Sequence, residues 1–143
     1  VLENLIKVQT DFLKKRQKNN VLVILDDIIG TTGGNIRFNK FLERAFTNFR
    51  HLNITIIMLL QDIGGKTAPT IRLNATQIIM FKNNNYNKKK YIVENFLSLD
   101  NNKKKGYEIL NNIWNEPFKA LVINQWNIQR SRELSDYIFY YIA

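Results

Sequence analysis

Val21-Leu22-Val23-Ile24-Leu25-Asp26-Asp27 (residues 21–27) decides how this chain is read. Five aliphatic residues in a row, without a polar alternation, predict a strand buried on both faces, the habit of parallel sheets. The run ends in two carboxylates. Charge at the end of a core strand is costly unless it is used. In nucleotide hydrolysis the first carboxylate at such a place holds magnesium, usually through water, and the second polarises the attacking water. Asp26 suits the first role and Asp27 the second. The same pair also fits a strand that leaves the sheet for solvent at an Asp-Asp turn.

Working outward, Leu2, Leu5, Ile6, Val8, Phe12 and Leu13 recur at helical spacing over residues 2–18, with basic residues at the C-terminal end. A loop from Gly30 to Asn35 leads into a helix over 36–50, whose apolar positions Phe38, Phe41, Leu42, Ala45, Phe46 and Phe49 fall three and four apart. Residues 54–60 predict a second buried strand, and a Gly/Pro-bearing loop separates it from a third at 77–81. Lysine-rich loops over 83–105 surround a short helix at 91–99. A helix over 106–115 and a strand over 118–123 follow, and the apolar tail 134–142 fits a short helix or an edge strand. Strands alternating with helices predict an α/β fold with a mostly parallel sheet flanked by helices, and one domain over 1–143.

The second strand ends in Gln61, where a parallel strand meets the ligand crevice of an open sheet. A Gln there can orient a water or sense a terminal phosphate. Arg50 and His51 close the helix before it. Arg50 fits a surface cation near a helix C-terminus and also an arginine finger reaching a neighbouring subunit. Gly64-Gly65-Lys66-Thr67 imitates the end of a phosphate-binding loop, but GxxxxGK[ST] requires Gly where Leu60 stands, and the next apolar run is a strand. The Gly30–Gly34 loop has no Lys. No phosphate-binding loop lies in these 143 residues.

Composition narrows the classes. The chain carries no Cys and a single His, His51, which excludes disulfides, thiol catalysis and Cys- or His-rich metal cages. No apolar run approaches the ~20 residues of a spanning helix, and no signal-peptide pattern opens the sequence. The reading is therefore of a soluble chain, opening on Val1 as a piece of a longer one. A formal charge of +9 attracts polyanions. The excess of Lys, Asn and Ile is also what an AT-rich genome produces.

The segments VLVILDD (21–27), TNFRHLNITIIMLLQD (47–62) and PTIRLNATQIIMFK (69–82), in this order and spacing, resemble the packaging ATPases of large DNA viruses and virophages within the FtsK/HerA superfamily. The resemblance covers roughly residues 20–82. It implies the C-terminal portion of a P-loop NTPase-like core of RecA/FtsK type, beginning before the strand that carries Asp26 and lacking the phosphate-binding loop. It further implies ATP and magnesium as cofactors, with Asp26 the magnesium carboxylate, Asp27 the catalytic one and Gln61 the sensor. Pro69, Arg72 and Asn74 match the family's motif after the Gln strand, so Arg50 and Arg72 become candidate inter-subunit fingers. Asp27 departs from the superfamily's commoner Glu. The family forms homo-oligomeric rings that thread double-stranded DNA into capsids, which implies portal or vertex proteins as partners and a viral factory or virion location. Thr31 and Asn35, with Lys88, Lys89 and Lys90 and Lys103, Lys104 and Lys105, then become candidate DNA contacts. Without its phosphate loop this stretch is not expected to hydrolyse ATP alone. Rival readings are a helicase or helicase loader of similar core, a non-catalytic module with a degenerate nucleotide fold, and a plain basic nucleic-acid-binding domain.

Overall fold

In a computed structural model of the chain, residues 2–17, 19–26, 40–61, 69–98, 102–128 and 133–142 are described. They gather into two compact units, Val1–Asn74 and Ala75–Ala143. The fold is α/β, with a two-stranded parallel sheet in the first unit and a three-stranded antiparallel sheet in the second.

The first unit runs α1 (Leu2–Lys14), β1 (Val21–Leu25), α2 (Lys40–Asn48), a 3-10 turn at Phe49–Leu52, β2 (Ile54–Met58) and α3 (Pro69–Asn74). β1 and β2 pair in parallel from Val21 opposite Ile54 to Leu25 opposite Met58. Their inward side chains meet two apolar clusters. Leu42 and Ile71 pack with Leu25, Phe46, Met58 and Leu60, and Ala45, Phe49 and Ile54 pack with Leu5, Ile6, Val21, Val23, Leu52 and Ile56. All three helices thus lie on one face. The other face, with Leu22, Ile24, Ile57 and Leu59, is exposed, so burial on both faces, expected from the unbroken apolar runs, is not what these strands show. Gln9 is the one polar side chain buried in α1, and its Nε2 donates to the carbonyls of Asn19 (2.8 Å) and Leu52 (3.0 Å), tying the helix to the lead-ins of both strands. Asn53 turns the chain into β2 with φ of 55°, a left-handed conformation that Asn tolerates.

The segment 69–74, expected to be loop, is helical because Pro69 stands at its first position, where the missing N–H is no loss. Isoleucine 71 anchors it by burial.

The second unit runs β3 (Gln77–Phe81), α4 (Tyr86–Ile92), a π-helical turn at Val93–Leu97, α5 (Lys103–Asn115), β4 (Lys119–Asn124), α6 (Gln125–Ile128), a 3-10 turn at Leu134–Asp136 and β5 (Ile138–Ile142). The strand order is β3-β4-β5, antiparallel throughout. A single helical pass returns a chain to the end of the sheet it left and gives a parallel neighbour. Two passes, α4 with its π turn and then α5, deliver it to the opposite end, which explains why β4 departs from the parallel expectation. The link from β4 to β5 holds no described helix long enough to recross the sheet. Ile78, Met80, Leu121 and Ile123 of the sheet and Val93, Leu97, Leu110, Ile113 and Trp114 of the helices are buried in this unit. The apolar tail resolves into the edge strand alternative.

The lysine runs are also placed differently from the expected loops. Lys88, Lys89 and Lys90 lie within α4, capped by Asn85, whose side chain accepts from the N–H groups of Asn87 and Lys88. Lys103, Lys104 and Lys105 form the first turn of α5, capped by Asn102 through the Lys105 N–H. Asparagine at an N-cap satisfies helix donors that otherwise stay unpaired.

Candidate functional site

The parallel pair builds the first candidate site. β1 hands the chain to Asp26, which is exposed just past the strand. The Leu59 N–H donates to the Leu25 carbonyl at 2.9 Å, so the ladder continues one residue beyond Met58. The register sets Asp26 level with Leu59, and Gln61 follows two residues on, also exposed. Asp26 and Gln61 therefore stand at the same, C-terminal ends of adjacent parallel strands joined through α2. Such strand ends are where open α/β sheets place ligands.

Arg72 belongs to the same end. Its neighbour Ile71 is in the cluster that takes in Leu25 and Leu60, so α3 packs where the two strands finish. Arg72 itself is half-buried. Arg50 does not join them. It is exposed in the turn preceding β2, at the sheet's opposite end, where the Val21 N–H donates to the Asn53 carbonyl at 3.0 Å. At ~3.3 Å per residue, a five-residue strand separates the two ends by roughly 13–17 Å. Asp27, Thr31 and Asn35 lie outside the described residues.

Among the described residues no group of three or more His, Asp or Glu side chains is gathered to cage an ion. One exposed carboxylate at a strand end does not suit an ion held by protein alone, and suits magnesium only where phosphate oxygens and waters complete its shell. Asp26 would hold such an ion, and the phosphates would have to be cradled by groups other than those at these strand ends.

The second unit carries both lysine runs, one in α4 and one at the start of α5. Lys103 Nζ lies 2.7 Å from Glu94 Oε1, joining the start of α5 to the π turn. The Lys103 hydrogen bond holds the Glu94 carboxyl below its ordinary range, with further help from the charges of Lys103 and Lys90. The same hydrogen bond raises the Lys103 ammonium. Both lysine runs thus converge on one carboxylate. Tyr107 stands beside them, its hydroxyl pushed up first by desolvation and then by the charge and hydrogen bond of Tyr86. Tyr86, Lys90 and Glu94 recur four apart, a stripe over two turns that a helix beginning at Tyr91, as the sequence predicts, cuts off.

A cavity of about 750 Å³ also opens in the second unit, between α5 and β5, walled by Leu97, Ile109, Ile113, Ile138 and Tyr140. Of the candidate residues only Lys105 lines it. It has no share in the Asp26–Gln61 site.

Comparison of the chain with protein-family models, with curated proteins and with solved structures finds no match.

Proposed function

We propose that this chain supplies the magnesium-binding and sensor strands of an ATP-hydrolysing motor subunit that translocates double-stranded viral DNA into a capsid. The observation that carries the reading is the placing of Asp26 and Gln61 at the C-terminal ends of adjacent parallel strands. Asp26 would hold magnesium through water, Asp27 would polarise the attacking water, and Gln61 would report the γ-phosphate. ATP would be cradled by a phosphate loop outside these residues, in a P-loop NTPase-like core. Arg72, at the same strand end, suits contact with the nucleotide bound beside it. Arg50, at the far end, suits a finger offered to a neighbouring subunit of a homo-oligomeric ring. The basic surface around Lys90 and Lys103–Lys105 would hold phosphates of duplex DNA without reading sequence. Portal or vertex proteins would be its partners in the viral factory or virion. No helix of the described residues is long and apolar enough to cross a membrane.

The test is made in the complete protein. Asp26→Asn and Asp27→Ala should each lower DNA-stimulated ATP hydrolysis by about 10²-fold or more, the scale of a lost general base. Undiminished hydrolysis by Asp27→Ala sinks the reading.

A second reading is favoured by the antiparallel β3-β4-β5 sheet, which does not extend the parallel pair. On that reading the chain belongs to a non-catalytic assembly module with a degenerate nucleotide fold. It requires a complete protein without the Lys and Ser/Thr of a phosphate loop, and no ATP binding.

A further inference from the structure

β5 is the terminal strand of its sheet. The Asn124 N–H donates to the Tyr137 carbonyl at 2.8 Å, which fixes the phase of the β4–β5 ladder. In an antiparallel pair, hydrogen-bonded and non-bonded residues alternate. Tyr137, Phe139 and Tyr141 therefore turn their N–H and C=O groups toward β4, while Ile138, Tyr140 and Ile142 turn theirs away from it. Among the described residues no strand lies on that outer side. The side chains of Phe139, Tyr140, Tyr141 and Ile142 are 46–59% exposed. The strand, IFYYI, holds no charge, Pro or Gly, the usual guards of an open edge.

The sequence of the strand names its partner. Read about Tyr140, IFYYI is nearly the same in both directions, with Ile at both ends and an aromatic residue on each side of the centre. We infer that β5 pairs antiparallel with β5 of a second copy of this chain, about a twofold axis at Tyr140. In that register Ile138 meets Ile142 of the other copy and Tyr140 meets Tyr140. These are the outward-turned residues, so each such pair exchanges both of its hydrogen bonds. Phe139 falls opposite Tyr141 of the other copy in the closer, non-bonded pairs, with Cα atoms about 4.5 Å apart. Those aromatics share a sheet face with Val122, Ile79 and Phe81, by the registers of β4 with β3 and β5. The contact joins an exposed apolar face on each copy into one. Aromatic and aliphatic cross-strand pairs of this kind are the units that stabilise a sheet.

The other edge lacks this complementarity. The Gln125 N–H donates to the Thr76 carbonyl, which by the same alternation turns Gln77, Ile79 and Phe81 outward on β3. Self-pairing there would set Gln77 against Phe81. A β3-to-β5 contact would propagate without closing, whereas the twofold pairing uses up both β5 edges and stops at two.

The charge of +9 on each copy opposes association. The strand itself is neutral, and Lys119 of the adjacent strand is paired with Glu116 at 2.6 Å while its Nζ lies 4.5 Å from the Tyr140 ring centre. Added salt screens the general repulsion, so the dimer should tighten as salt rises. A five-residue strand pair is smaller than the ~1,600 Å² of a standard interface, so the expected dimer is a weak one.

Sedimentation equilibrium of the whole chain across micromolar to millimolar concentration tests the inference. The expected result is a monomer–dimer equilibrium that strengthens with salt. Tyr140→Lys places two ammonium groups at the axis, and Tyr140→Pro removes an N–H turned away from β4 and so leaves the ladder intact. Each variant, with an unchanged circular dichroism spectrum, should weaken the dimer by about tenfold or more. Amide exchange should slow with concentration at Ile138, Tyr140 and Ile142 and stay constant at Phe139 and Tyr141. A monomer throughout the range overturns the inference. So does a dimer that both folded variants leave intact, or one whose concentration-dependent protection lies outside β5. The pairing requires nothing of the nucleotide reading, and an ATPase-dead chain should dimerise equally.

Discussion

Gly106 shows how a single residue can hide its role in sequence. Its pattern reads as the start of a helix, yet α5 begins at Lys103 and Gly106 is buried one turn in. A Cβ built there would meet Val93 Cγ1 at 2.9 Å, the Leu97 carbonyl oxygen at 3.1 Å and Leu97 Cβ at 3.2 Å. In an open helix Gly→Ala stabilises by about 1 kcal/mol. Here all three neighbouring atoms belong to a π turn whose Val93 and Leu97 are fully buried, so the contact has little room to relax. Gly106→Ala should destabilise the protein by about 1–3 kcal/mol, the scale of overpacking, read as a lower midpoint in urea with an unchanged slope. The Glu94–Lys103 pair makes the opposite case, a contact that is exposed and therefore minor in stability. Its pH dependence still has a definite sign. The depressed Glu94 stabilises above the unfolded carboxylate range and loses this as pH falls through its folded value. The raised Lys103 stabilises below the unfolded ammonium range and loses this as pH rises through its own folded value. The contribution is a plateau across neutral pH, lost at both extremes. Lys103→Ala should raise the Glu94 pKa toward the ordinary carboxylate range in an NMR titration, and an unmoved titration would refute the pairing.

At the scale of elements, the strands and the bodies of the second unit's helices were legible, and the starts of those helices were not. β1 and β3 lie where the aliphatic runs set them, because a run of Val, Ile and Leu bounded by polar residues has few other uses. The starts of those helices were obscured by Asn and Lys, so the helices expected over 91–99 and 106–115 begin earlier, at Tyr86 and Lys103. The signal that recovers them is positional. Asn85 and Asn102 each stand directly before a run of good helix formers, and both serve as N-caps. The antiparallel turn of β4 was legible by the same route, since the two helices between β3 and β4 imply two passes along the sheet. One-sided burial of β1 and β2 was not legible, because an apolar outer face and a covered one have the same residues. Asn102→Ala leaves the Lys105 N–H without its acceptor. It should cost about 1 kcal/mol, whereas Asn102→Asp should hold stability within a few tenths of that, a comparison made by thermal melts of the two variants.

For the whole molecule, the Asp26–Gln61 pair and the basic surface make separable demands. The position of Asp26 and Gln61 past the ends of β1 and β2 was legible because each closes an aliphatic run. The convergence of the two lysine runs was not legible, because it depends on how α4, the π turn and α5 pack. That convergence decides which lysines are free for a polyanion. Lys103 is committed to Glu94. Lys104 and Lys105 are exposed at the start of α5, and Lys90 is exposed on α4. Helix N-termini favour anions, so cations in that turn gain nothing from their own helix and stay available to the external phosphate of the proposed function. Sequence-independent binding through such lysines releases counterions, and the slope of log K against log salt records about 0.9 per phosphate neutralised on duplex DNA. Lys90→Ala, Lys104→Ala and Lys105→Ala combined should therefore flatten that slope by roughly 2–3 and weaken all duplexes alike. The measurement is fluorescence anisotropy on two unrelated duplexes over a salt series. Asp26→Asn should leave this slope unchanged if, as proposed, its carboxylate serves the nucleotide and not the DNA. If the lysine variant keeps the full slope, the positive charge of the second unit is a solvated surface and the DNA contact lies elsewhere.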